Sequence, residues 1–275
     1  MDIIVIGAQK AGTTWLYRML AQQPRVGFAF RKEVHYFDDL SNNKINLSRL
    51  KGKIDSRTNF FTQAIYRKRS KYFNYVTNPD TAYTDEWYRN IFTRKPSNEK
   101  LVNAGYQMVY ADISPRYMMM PESGIRHMAK LLPGVTPLLI VRDPVKRMIS
   151  GLNMLFDRNP ERAEHNTKRC ISMLRRTQVP RGDYRRAIEK YREITGGLHI
   201  VPFRRISTDP LGLLREIEEF YGLDQISYAG LSEKKYSFSG KFELSEEILD
   251  GIQELCAPQY EYLKNEFGAE FLKEI

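Results

Sequence analysis

Ile3-Ile4-Val5-Ile6-Gly7-Ala8-Gln9-Lys10-Ala11-Gly12-Thr13-Thr14-Trp15-Leu16 is the stretch that decides the fold. Its first four residues are a continuous apolar run, the pattern of a strand buried on both faces of a parallel sheet. A glycine-bounded loop follows, then a helix predicted over Thr13 to Gln23 and stopped before Pro24. Strand, loop and helix in this order point backbone N–H groups at an anion, with the helix dipole behind them. Gly7 and Gly12 have the spacing of the ATP-type phosphate loop, G-x-x-x-x-G-K-[ST]. Thr13 stands where that motif needs lysine, and the lysine sits inside the loop at Lys10. The stretch therefore predicts a phosphate cradle that departs from the ATPase plan. The competing reading is a turn whose glycines serve the backbone alone.

The rest of the chain repeats the alternation. Strands are predicted at Val26–Phe30, Val109–Ile113, Pro137–Val141 and Leu198–Pro202. Helices are predicted over Glu86–Phe92, Glu122–Leu132, from Asp143-Pro144 to Phe156, near 160–178 and 183–194, from Asp209-Pro210 to Tyr221, and over Ser245–Lys264. Asp-Pro pairs supply an N-cap and a proline at the first helical position. The fold class expected is α/β, a P-loop-like central parallel sheet flanked by helices on both faces. A single domain over 1–275 is expected, with 41–100 as an elaborated, variable insert.

Net charge is +10 and the pI about 9.4, which favours anionic partners. Cys170 and Cys256 are the two cysteines, without a C-x-x-C pair, so a disulfide framework is excluded. Four scattered histidines give no metal-ligand spacing, and no metal is expected. No signal-peptide pattern and no apolar run long enough to span a bilayer is read, so a cytoplasmic location is expected.

Val141-Arg142-Asp143-Pro144-Val145-Lys146-Arg147-Met148-Ile149-Ser150 is the second informative stretch. Arg142 leaves the end of an inner strand, where ligands of open α/β sheets gather. Its guanidinium can fork onto a phosphate, and Ser150 can add a hydrogen bond. Local pairing of Arg142 with Asp143 is the competing reading.

Together the two stretches resemble the nucleotide-binding motifs of the sulfotransferase superfamily. Lys10-Ala11-Gly12-Thr13-Thr14-Trp15-Leu16 is similar to its 5′-phosphosulfate loop, and Arg142 through Arg147 to Ser150 is similar to its 3′-phosphate motif. Lys32-Glu33-Val34-His35-Tyr36-Phe37-Asp38 resembles a segment of the Golgi-type glycan sulfotransferases, the heparan sulfate N- and 3-O-enzymes, and their bacterial relatives. Asp112-Ile113-Ser114-Pro115-Arg116-Tyr117 and Gly182-Asp183-Tyr184 follow the same branch. The paired cysteines and K-G-R run of its C-terminal loop are missing, and only Ser239-Gly240-Lys241 stands there.

The resemblance implies 3′-phosphoadenosine 5′-phosphosulfate as donor, 3′-phosphoadenosine 5′-phosphate as product, and no metal. It implies Glu33 as catalytic base, with Lys10 and Lys32 as catalytic cations. Lys10, Ala11, Gly12, Thr13, Thr14, Trp15, Arg142, Ser150 and Lys241 are the implied donor-binding residues. His35 is read as structural or supporting, sharing a face with Glu33 if the segment is a strand. The expected acceptor is a hydroxyl or amine of an acidic glycan or a small metabolite; no nucleic-acid partner is expected. A P-loop nucleotide kinase is the nearest alternative, and a basic nucleic-acid-binding protein is the alternative from another class. A catalytically silent nucleotide binder is disfavoured by intact Glu33 and Lys10.

Overall fold

The structure, a computed structural model, describes residues 2–47, 50, 71–158, 167–232 and 244–275. Among the described residues five strands form one sheet: β1 (Ile3–Gly7), β2 (Val26–Phe28), β3 (Val109–Ile113), β4 (Leu138–Val141) and β5 (His199–Pro202). Their order is β2-β3-β1-β4-β5, and every pairing is parallel. β1 is buried at all five positions, as its unbroken apolar run requires.

The chain lays β2 and β3 on one side of β1, then crosses to place β4 and β5 on the other. Loops leaving the carboxyl ends of β1 and β4 therefore splay apart at a topological switch point, where this class of sheet binds ligands. Helix α1 (Thr13–Leu20) follows β1, and α2 (Tyr36–Ser41) follows β2. Next come α3 (Asp85–Thr93), α4 (Pro96–Asn103) and α5 (Glu122–Leu131). Pro144–Arg158 forms α6, Thr167–Thr177 α7 and Tyr184–Thr195 α8. A short α9 (Arg205–Thr208) precedes α10 (Pro210–Tyr221), α11 (Glu246–Phe267) and α12 (Ala269–Glu274).

The main core gathers the sheet with the helices on its faces. A smaller cluster of Met148, Leu152, Phe156, Cys170, Leu174, Ile252 and Cys256 joins α6, α7 and α11. Trp87, Tyr88, Ile91 and Phe92 of α3 belong to the main core, so this part of the 41–100 stretch packs on the sheet rather than around a centre of its own. Met118 and Met120 are buried in it as well.

Candidate active site

The loop from Gly7 to Gly12 is held by its backbone. Ala8 N–H donates to the carbonyl of Ile140 on β4 at 3.0 Å, and Ala11 N–H to the carbonyl of Ala8 at 3.2 Å. Lys10 adopts a left-handed conformation with φ of 70°. Gly12 is the N-cap of α1 with φ of 79°. A Cβ there would lie 2.3 Å from Cδ1 of Ile206, so both conformation and space require glycine. Among the described residues no side chain caps α1, which leaves the first N–H groups of the helix to another acceptor.

Lys32 closes the open side. Its ammonium donates to Oγ1 of Thr13 at 3.2 Å and of Thr14 at 3.1 Å, and lies 3.4 Å from Oε1 of Glu33. Burial draws the Lys32 pKa down against the opposing pull of Glu33. Glu33 continues into a chain of charge. Its Oε2 is 3.2 Å from Nε2 of His35; Nδ1 of His35 is 3.3 Å from the Asp38 carboxylate, and Oδ2 of Asp38 is 3.1 Å from Nε of Arg116. Burial acts to raise the Glu33 pKa, but the His35 hydrogen bond, then Lys32, overcome it and hold the carboxyl down at about 2. Burial acts to lower the His35 pKa, but Asp38 and Glu33 outweigh it, so the imidazole is raised above its ordinary 6.5.

Glu33 and His35 meet, but not on a strand. Residues 33–35 are irregular, and His35 turns at φ of 60° into α2. The end of β3 supports this turn. Asp112 is fully buried; it accepts from the hydroxyls of Ser114 (2.6 Å), Tyr117 (2.7 Å) and Tyr88 (3.1 Å), and from Val34 N–H (3.4 Å). Ser114 Oγ accepts from His35 N–H at 3.2 Å, and the Tyr117 hydroxyl from Tyr36 N–H at 3.1 Å. The D-x-S-P-x-Y segment thus scaffolds the Glu33 loop.

Arg142 emerges from β4 and turns back to the first loop. Its Nη1 donates to the carbonyl of Lys10 at 2.6 Å, and its guanidinium lies 4.6 Å from the centre of the Phe203 ring. Its Nε is buried with no hydrogen-bond partner among the described residues. Asp143 caps α6, accepting from Lys146 N–H at 2.7 Å, and Ser150 sits half-buried in that helix. Trp15 anchors α1 by donating from its indole to the carbonyl of Leu231 at 3.1 Å. Ala11, within the loop, is buried. Lys241 lies outside the described residues.

The structure thus links Lys10 with Arg142, and Thr13 and Thr14 with Lys32 and Glu33. Sequence reasoning missed Asp38, Arg116 and Phe203 as members of this network. It singled out Tyr184 without a role.

A model described as the sulfotransferase family matches residues 2–227. The chain belongs to the sulfotransferase family. Membership carries the general chemistry, transfer of a sulfuryl group from a sulfonate donor to an acceptor. Two solved structures share the fold. A sulfotransferase from Alicyclobacillus acidocaldarius aligns with a TM-score of 0.62 at 18% identity, covering 96% of this chain and 94% of that one. A sulfotransferase domain from the curacin biosynthetic pathway aligns with a TM-score of 0.50 at 15% identity, covering 94% of this chain and 97% of that one. No curated protein gives a significant sequence match. Among the described residues of this sulfotransferase-family chain, no cluster of His, Cys, Asp and Glu is arranged to hold a metal ion. Nor is any described helix long and apolar enough to cross a membrane.

Proposed function

We propose that this chain transfers the sulfuryl group of 3′-phosphoadenosine 5′-phosphosulfate to a hydroxyl or amine acceptor, with Glu33 as base. The observation that carries the reading is the position of Lys32, hydrogen-bonded to both threonine hydroxyls of the anion loop and paired with Glu33. One cation thus joins an anion site to a carboxylate.

The residues present fit the donor. An uncapped helix N-terminus, Lys10 and the two threonines suit its 5′ side. Arg142, with a buried N–H that has no partner among the described residues, and Ser150 suit its 3′-phosphate. When bound, the nucleotide supplies a sulfuryl group on a phosphate leaving group. The chain's part is to position and to stabilise charge. Loop N–H groups and Lys10 meet negative charge on the 5′ side. Lys32 serves two anions: as it turns toward an anionic group in the loop, it neutralises Glu33 less. Glu33 then binds a proton more strongly than its resting pKa of about 2 suggests. His35, fixed between Glu33 and Asp38, holds the carboxylate in place.

For the acceptor, the K-E-x-H-Y-F-D loop and the net charge of +10 support an acidic glycan. Acceptor selectivity is assigned to the 41–100 region. The test is transfer of labelled sulfate from the nucleotide to a panel of sugar hydroxyls, sugar amines, phenols and small alcohols, with and without EDTA. Transfer unaffected by EDTA is expected. Absence of transfer to every acceptor, together with no binding of 3′-phosphoadenosine 5′-phosphate, defeats the reading.

A further inference from the structure

Tyr184 is fully buried, and its hydroxyl sits on the backbone of one residue. It accepts from Arg142 N–H at 3.1 Å and donates to the Arg142 carbonyl at 2.8 Å. Arg142 lies just past the last residue of β4, where the sheet no longer supplies partners for both backbone groups. The phenol takes the place of a neighbouring strand. A phenylalanine would fill the same space and leave both groups without this partner.

The segment that delivers Tyr184 is built for the purpose. Arg147, one turn into α6 and only 1% exposed, donates from Nη2 to the carbonyl of Gln178 at 2.8 Å. Its guanidinium lies against Gly182, where a Cβ would come within 2.5 Å of Nη2. Asp183 then caps α8, accepting from Arg186 N–H at 3.2 Å, and also accepts from Nε2 of Gln259 at 3.2 Å. Each residue of Gly182-Asp183-Tyr184 thus has a task, and the last task is Arg142.

We propose that Tyr184 is a positioning residue of the donor site, setting Arg142 for the 3′-phosphate and, through the Arg142–Lys10 hydrogen bond, setting the loop cation. The link to Lys10 is direct: the guanidinium that Tyr184 aims holds the carbonyl of a residue in left-handed conformation. The proposal rests on the donor assignment above for the identity of the ligand, but the clamp itself does not.

The experiment compares wild type with Tyr184→Phe. Dissociation constants for adenosine 3′,5′-bisphosphate and adenosine 5′-monophosphate are measured by calorimetry, with hydrogen exchange of the Arg142 amide followed in both proteins. In the wild type the bisphosphate binds more tightly, and the Arg142 amide is protected. In Tyr184→Phe the ratio of the two affinities falls roughly tenfold, the scale of one or two hydrogen bonds. Protection of the Arg142 amide is lost. A Tyr184→Phe protein with lowered melting temperature but an unchanged affinity ratio overturns the proposal, because Tyr184 would then be structural only. Equal wild-type affinity for the two nucleotides defeats the donor assignment instead. If Tyr184→Phe does not fold, the wild-type arm decides: an Arg142 amide exchanging at the rate of an open loop shows no clamp and overturns the proposal.

Discussion

Two loops meet at Lys32, and they are held by different forces. The Gly7–Gly12 loop is fixed through main-chain groups: Ala8 N–H to Ile140, Ala11 N–H to Ala8, and the Arg142 guanidinium to the Lys10 carbonyl. The Glu33 loop adds charge to its main-chain bonds with Asp112, Ser114 and Tyr117, in the series Lys32, Glu33, His35, Asp38 and Arg116. Main-chain hydrogen bonds do not titrate in the working range, whereas an imidazole held between carboxylates does. The anion-binding half is therefore built to keep its shape across pH, and the base half to respond to it. On the proposed mechanism, the first half has only to receive a ligand of fixed charge, and the second has to change its own protonation during the reaction.

The sharpest way to separate the halves is to remove the carboxylate. Glu33→Gln keeps the size of the side chain and its contact with Lys32, and removes the base. Turnover is expected to fall by about 10²–10⁴-fold, with the affinity for 3′-phosphoadenosine 5′-phosphate within about threefold of wild type. Single-turnover transfer and calorimetry read the two quantities; full activity would take Glu33 out of the mechanism. The mirror-image change is Arg142→Ala. It removes a charged donor from the other half, and affinity for the bisphosphate should fall by about 10–100-fold, the scale of hydrogen bonds to a charged group. Affinity for the 5′-monophosphate should change less, and equal loss for both nucleotides would show that Arg142 does not read the 3′-phosphate. Smaller again is Gly182→Ala, which pushes a methyl group toward the Arg147 guanidinium. A loss of roughly 1–3 kcal/mol is expected from overpacking of this kind. Urea denaturation measures it, and an unchanged midpoint would mean that the guanidinium yields freely.

The two halves also differed in how far they could be read from the residues. The β1 loop was legible because its pattern is local: apolar strand, two glycines, a lysine and two threonines follow one another, and sheet topology does the rest. Arg142 was legible for the same reason, as the residue leaving an apolar strand. The base half was legible in membership and not in geometry. A strand would bring Glu33 and His35 to one face; the segment is not a strand, and a left-handed residue leading into the six-residue α2 brings them together instead. Nothing in a short run of mixed residues announces that turn, because Ser114 and Tyr117, which hold it, lie about eighty positions away. Helix α4 was missed for another reason. Only Asn98 is buried along it, so it has no apolar stripe to show. Tyr184 stood out in a motif, but its bond to the Arg142 backbone depends on how α8 packs against the end of β4, and periodicity carries no such information.

The smallest expected effect tests the claim that the base half responds to pH. His35 is mostly buried, with Glu33 and Asp38 against its two ring nitrogens, Arg116 on the far side of Asp38, and Lys32 on the far side of Glu33. Its folded-state pKa is raised above the ordinary 6.5. The protonated ring is therefore favoured by folding, and that stabilisation is fully present below pH 6.5 and is lost as pH rises through the raised folded value. His35→Gln cannot titrate. The difference in melting temperature between wild type and His35→Gln should be greatest at pH 5.5–6 and should shrink steadily above neutrality, whatever constant offset the loss of packing adds. Glu33 works in the opposite sense: with its pKa held at about 2, its contribution is present above about 4.5 and disappears only on acidification toward 2. Between pH 5.5 and 9 it is therefore constant, and the slope belongs to His35. A difference that stays flat across this range would mean that the imidazole is neutral throughout. The two halves of the site would then be equally indifferent to pH.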